Sequence, residues 1–137
     1  FEMTLVDTSV WIDVFAARNT AQVATLESLI QDREDLCLCG VVLTEVLQGI
    51  RDDEEHARVE STLSGLVFLP MRRKTFLLAA RIYRTLQSQG MTIRSPVDCM
   101  IAAACIEHKA RLLHNDRDFD HIAPGTDLIV ISARDSL

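Results

Sequence analysis

Short apolar runs alternate along the chain with longer segments of helical period. Met3-Thr4-Leu5-Val6 is one such run, stopped by Asp7. Leu36 to Cys39 is a second, broken by Gly40, with Arg111 to His114 a third and Leu128 to Ile131 a fourth. Val67-Phe68-Leu69 makes a short strand before Pro70. Apolar runs this short, bounded by turn formers, predict strands buried on both faces. Between them, Val10 to Ala17 and Ala21 to Gln31 read as helices, and Val41 to Ile50 places Leu43, Val46, Leu47 and Ile50 on one face. Asp52-Asp53-Glu54-Glu55 opens another helix, its acids complementing the dipole, and Lys74 to Gln89 is a long amphipathic helix closed by Gly90. Ser95-Pro96 is a helix start, a capping hydroxyl followed by proline at the first helical position. From there Val97, Met100, Ile101, Ala104 and Cys105 repeat at helical spacing. The alternation predicts an α/β chain with three layers: a central, mainly parallel sheet of about four or five strands, covered by helices on both faces. With no linker, repeat or low-complexity segment, the reading is one domain over residues 3–137. Phe1-Glu2 ahead of Met3 reads as an expression remnant.

Composition narrows the function. The 137 residues carry 20 acidic and 14 basic side chains, a formal net charge of −6, which disfavours a protein that holds nucleic acid by bulk positive charge. Cys37, Cys39, Cys99 and Cys105 lack zinc-ligand spacing and read as buried reduced thiols, as expected in a cytoplasmic protein. The N-terminal apolar stretch is interrupted by Asp7 and Asp13 and lacks a basic start, so no signal peptide is expected. No apolar run approaches the roughly 20 residues of a membrane span.

The positions of the acids matter more than their number. Asp7 directly follows the first strand, and Asp116 and Asp118 directly follow the strand at Arg111 to His114. Ligands of open α/β sheets bind outside the carboxyl ends of the strands. Asp98 falls in the first turn of the helix begun by Ser95-Pro96, and Glu45 within an otherwise apolar helical segment. Taken singly, each has a plain structural reading: Asp7 as a cap, Asp98 as a dipole partner, Glu45 as a solvated helix residue, Asp118 and Asp120 as turn formers. Taken jointly they form a carboxylate cluster whose obvious local cation is Arg117 alone. Such a cluster should bind a hard divalent cation through oxygen and handle phosphate chemistry.

Four segments carry a family resemblance. Met3-Thr4-Leu5-Val6-Asp7-Thr8-Ser9-Val10-Trp11-Ile12-Asp13 resembles the opening of PIN-domain ribonucleases, particularly VapC-type toxins. Leu43-Thr44-Glu45-Val46-Leu47-Gln48-Gly49-Ile50 is similar to their second motif, Ser95-Pro96-Val97-Asp98-Cys99-Met100-Ile101-Ala102-Ala103 to their third, and His114-Asn115-Asp116-Arg117-Asp118-Phe119 to their fourth. Order and spacing agree from Met3 to the C-terminus. The fourth motif has His-Asn where threonine is common two residues before the aspartate. The resemblance implies a PIN-like fold and an Mg²⁺- or Mn²⁺-dependent endoribonuclease. It places the catalytic acids at Asp7, Glu45, Asp98 and Asp116 and the metal ligands at the same four with Asp118 as a further one, Asp7 and Asp98 foremost. It gives Ser9 the task of supporting Asp7. It also implies a homodimer and a cognate VapB-type antitoxin that lays its C-terminal segment, often with an arginine, across the acidic groove.

The basic residues are segregated. Between Ser61 and Val97 there is no acid, yet there are six basic residues: Arg72, Arg73, Lys74, Arg81, Arg84 and Arg94. That segment carries +6 and the other 100 residues −12. One reading is a solvated helix face with dimer contacts. The other is a phosphate track for RNA, with Arg72, Arg73, Lys74 and above all Arg94, four residues before Asp98, leading towards the acids. Two further readings share the acidic cluster: a structure-specific DNA nuclease, for which the chain lacks a helical clamp, and a non-catalytic PIN-like binding module, against which the intact acidic set speaks. A signalling receiver domain is disfavoured, because the only lysines are Lys74 and Lys109.

Overall fold

The computed structural model describes residues 2–131. Strand β1 (Met3–Val6) is followed by helices α1 (Thr8–Phe15) and α2 (Ala21–Gln31), then β2 (Asp35–Cys39), α3 (Gly40–Gln48) and α4 (Asp53–Leu63). Next come β3 (Val67–Leu69), α5 (Arg73–Ser88), α6 (Pro96–His108), β4 (Arg111–Leu113) and α7 (Arg117–Ile122). The strands lie in the order β3-β2-β1-β4, all parallel. Leu5, Val6, Cys37, Cys39, Leu112 and Leu113 are fully enclosed, as a sheet covered on both faces requires. All four cysteines are buried free thiols, and burial pushes those of Cys37, Cys39 and Cys99 up to about 11. Among the described residues, no helix is long and apolar enough to cross a membrane.

The strand order explains where a site can form. The chain steps outwards from β1 to β2 to β3, then returns through α5 and α6 to place β4 on the other side of β1. The direction of winding reverses between β1 and β4, and the carboxyl ends of two such strands open a crevice. Asp7 N–H donates to Leu113 O (2.9 Å), so the two strand ends stay paired up to the first acid.

Two expectations change. Leu128 to Ile131, predicted as a strand, pairs with β4 only through an isolated parallel bridge between Leu112 and Val130. Residues 132–137 lie outside the described residues, so the sheet has four strands plus this bridge among those described. In α6 the expected one-sided stripe is absent: Cys99 and Ile101 through Cys105 are buried around most of the helix, whereas Val97 and Met100 are half-buried. The small residues Ala102-Ala103-Ala104 let α6 pack closely on several sides, as a helix enclosed all round must.

Candidate active site

Three helix N-termini bring acids to the crevice. Asp7 is the N-cap of α1, Asp98 sits in the first turn of α6, and Asp116 is the N-cap of α7. The α6 start is as expected, with Ser95 Oγ accepting from Val97 N–H (3.2 Å). The positive ends of helix dipoles offset part of the mutual repulsion of carboxylates gathered there. Capping and clustering are therefore not alternatives, because the same carboxylates do both.

Asp7 is almost wholly buried, with 3% of its surface exposed. Its Oδ2 accepts from the Ser9 hydroxyl (2.6 Å) and the Ser9 N–H (3.0 Å). Its Oδ1 is buried and has no hydrogen-bond partner among the described residues. An unpaired buried carboxylate oxygen is costly unless something cationic or protic meets it. Burial pushes the Asp7 carboxyl above the ordinary carboxylate range, against the two Ser9 hydrogen bonds, and the Asp116 charge pushes it further.

Asp98, Asp116 and Asp118 form the tightest group: one oxygen from each lies within 4.8 Å of the others. Asp98 is pushed up to about 8, first by burial and then by the charges of Asp116 and Asp7 and by contact with Asp118. Glu45, on α3, is anchored by the Thr8 hydroxyl, which donates to Oε1 (2.9 Å). Burial raises its carboxyl, the Thr8 hydrogen bond lowers it, and the charges of Asp7 and Asp116 raise it again. All five acids named from the sequence thus share one electrostatic site.

The cation beside them is Arg94, four residues before Asp98 in the sequence, rather than the locally adjacent Arg117. Among the described residues, the ion pairs to this group come from Arg94, in the loop before α6, and not from the adjacent Arg117. Arg94 Nη2 lies 3.3 Å from Asp116 Oδ1 and Nε lies 3.5 Å from Asp118 Oδ2. Its guanidinium is three-quarters exposed, so the pair is worth at most about 1 kcal/mol. Sequence adjacency favoured Arg117, and proximity to Asp98 favoured Arg94, which is the one that reaches the acids.

Arg72, Arg73 and Lys74 are elsewhere. They stand at the start of α5, where Lys74 Nζ is 3.3 Å from Glu107 and Thr75 hydrogen-bonds the same carboxylate. Glu107 is in the last turn of α6 and Asp98 in the first, roughly 14 Å apart along the axis. The structure therefore joins Arg94 to the acids and separates the other three from them.

Three supporting residues escaped the sequence reading. His114 is buried and its Nδ1 accepts from Asp116 N–H (3.0 Å), which holds the acid's backbone. Burial lowers its basicity, with Asp120 opposing. Asp13, also buried, and Asn115 are joined by a hydrogen bond (3.0 Å) beside the site. The available signal was that Ser9 and Asp13 are four residues apart on one helix, hence on one face.

The whole arrangement is an all-oxygen donor set with one buried oxygen unmatched, which fits a hard divalent cation. Comparisons with known proteins give the family. The PIN domain family model matches residues 4–124. The VapC ribonuclease Mb1587 of Mycobacterium bovis is 39% identical over 134 residues, covering 96% of this chain and 100% of the relative. Among solved structures, DNA-bound VapBC from Salmonella typhimurium superposes with a TM-score of 0.79 at 21% identity, over 97% of this chain and 99% of that one. VapBC-5 of Mycobacterium tuberculosis, described as a member of the VapBC family of toxin–antitoxin systems, gives 0.65 at 22%, over 96% and 98%. At those identities the structures speak for the fold alone. Four motifs in order, a model matched over most of the chain and a full-length relative converge on one conclusion: the chain belongs to the PIN domain family, in its VapC branch.

Proposed function

We propose that the chain is a VapC-type toxin, an endoribonuclease that hydrolyses RNA phosphodiester bonds with Mg²⁺ or Mn²⁺ and is restrained by a VapB-type antitoxin. The observation that carries this reading is the unpartnered, buried Oδ1 of Asp7 beside three carboxylates whose oxygens lie within 4.8 Å of one another. In this reading Asp7, Asp98, Asp116 and Asp118 hold the cation. When bound, the cation polarises a phosphoryl oxygen and lowers the pKa of a water. Ser9 fixes the Asp7 carboxylate so that Oδ1 faces the site. Glu45, fixed at Oε1 by Thr8, offers its second oxygen to orient the attacking water and take its proton. This reading includes a homodimer and an antitoxin segment that crosses the acidic groove.

Arg94 fits this scheme as a counter-ion that yields to the metal and then meets a substrate phosphate. Replacing it should have opposite effects on two measurements. Arg94→Gln should tighten Mn²⁺ binding, measured by calorimetry, by up to about fivefold, the equivalent of a weak exposed ion pair. The same variant should raise KM for RNA. Weaker Mn²⁺ binding would remove Arg94 from this role. Arg72, Arg73 and Lys74, distant from the acids, contribute to RNA binding only if the RNA extends along α6, and their combined replacement by Gln should leave Mn²⁺ affinity unchanged.

The function itself is tested by inducing the chain in cells and mapping new RNA ends, with Asp7→Asn as the control. Discrete ends that appear only with the unaltered chain are expected, and co-expression of the antitoxin should suppress them. Identical ends from Asp7→Asn, or none from either, would refute the reading.

A further inference from the structure

The chain carries a clamp beside the acids whose Asp13 and Asn115 arm has no part in the scheme above. Asn115 immediately precedes Asp116, and both of its amide groups are gripped by helix α1. Its backbone N–H donates to Ser9 Oγ (2.9 Å) and its side-chain Nδ2 donates to Asp13 Oδ2 (3.0 Å). Ser9 and Asp13 are one helical turn apart, so they present acceptors along a single face of α1. Asp13 is 5% exposed, a buried carboxylate that needs partners; it has Asn115 on one oxygen and Arg18 Nη1 on the other (3.1 Å). Ser9 Oγ, while accepting from Asn115, donates to Asp7 Oδ2. The chain of contacts therefore runs from Arg18 through Asp13 and Asn115 to Ser9 and Asp7, and it joins the residue before Asp116 to the helix that Asp7 caps.

We propose that Asp13 and Asn115 are positioning residues: the bond between their side chains ties the loop after β4 to α1 and, beside the Asn115 N–H bond to Ser9, fixes Asp116 relative to Asp7. Neither touches the reacting atoms. Their effect is on the distance between acids that arrive from strands on the two sides of the winding reversal. A five-membered carboxylate group repels itself, and without a restraint the loop bearing Asp116 and Asp118 relaxes away from Asp7. Residues that orient ligands from behind typically matter by about 10–100-fold in metal affinity or activity. This inference rests on the nuclease reading for its catalytic consequence, but the clamp itself can be measured without it.

The test uses the purified chain, Asp13→Ala, Asn115→Ala and the double variant. Amide hydrogen exchange at residues 114–116 needs neither metal nor RNA, and either single variant should speed it at least about tenfold. Calorimetric Mn²⁺ titration should show each single variant binding about 10–100-fold more weakly. The double variant should be no weaker than the worse single one, because the two residues act through one bond. In RNA cleavage kcat should fall while KM stays within about twofold. Asn115 is an exposed residue, so its alanine variant keeps the test open even if Asp13→Ala fails to fold. Unchanged exchange in Asn115→Ala, or Mn²⁺ losses that multiply in the double variant, would overturn the clamp. Wild-type chain that neither binds Mn²⁺ nor cuts RNA would instead strike the nuclease reading, with the exchange result still deciding the clamp.

Discussion

Asp98→Asn lowers RNA cleavage by at least about 1000-fold while raising the melting temperature of the metal-free chain. The first effect follows from its place in the tightest acid group, within reach of Asp116 and Asp118. Loss of a cation's contribution to phosphoryl transfer is worth several kcal/mol, and each 1.4 kcal/mol is tenfold in rate. The second effect follows from what burial and like charges do to the same carboxyl, which they push up to about 8. A neutral amide of the same shape removes that repulsion. Activity and stability therefore move in opposite directions, as expected where a site stores unfavourable charge for function. Asp7→Asn should behave similarly in cleavage, because it replaces the one buried oxygen left unpaired. Rate assays with melting curves on the same preparations check both signs. A variant that cuts at the wild-type rate contradicts the role of Asp98, and one that melts lower contradicts the electrostatic account.

Metal and pH should act on stability together. Asp7, Glu45 and Asp98 all have carboxyls raised in the folded chain. A raised carboxyl favours the folded state while it is protonated, so its contribution is complete below about pH 4 and is lost as pH rises through its folded value, near 8 for Asp98. His114, whose basicity is lowered by burial, works the other way, but only below about pH 6.5. Between pH 6.5 and 9, then, the metal-free chain should melt progressively lower. A cation binds the deprotonated acids, so its stabilisation should grow over the same interval. At 100-fold excess over Kd it amounts to about 2.7 kcal/mol, roughly 10 °C for a chain of this length. Differential scanning fluorimetry with and without Mn²⁺ reads both trends. A metal-induced shift that is larger at pH 6.5 than at pH 9 would contradict a site built from these carboxyls.

The sequence and the structure part company in an instructive way. Strands β1, β2 and β4 were legible because short apolar runs in a sheet covered on both faces have no other use; four of the acids stood out at helix starts and after strands, and Glu45 as an acid inside an apolar helical segment. The strand expected at Leu128 to Ile131 pairs with β4 through a bridge between Leu112 and Val130, next to where the described residues end. Side-chain pairings were out of reach. Arg94 meets Asp116 across 22 residues and Asn115 meets Asp13 across 102. Period and composition report which way a residue faces within its own element; they carry no information about what a distant loop brings to it. The same limit misled the electrostatics. The net charge of −6 seemed to disfavour nucleic acid, but one arginine of the acid-free segment lies on the carboxylates, and a cation at the site would offset more of their charge.

The central claim is that these carboxylates place a water for attack on an RNA phosphodiester. Cleavage of a defined RNA by the purified chain in ¹⁸O-water with Mn²⁺ tests it most directly. Hydrolysis predicts one ¹⁸O atom in the newly formed phosphate end, no 2′,3′-cyclic phosphate, and loss of cleavage in EDTA. Unlabelled cyclic phosphate ends, or cleavage undiminished by EDTA, would contradict it.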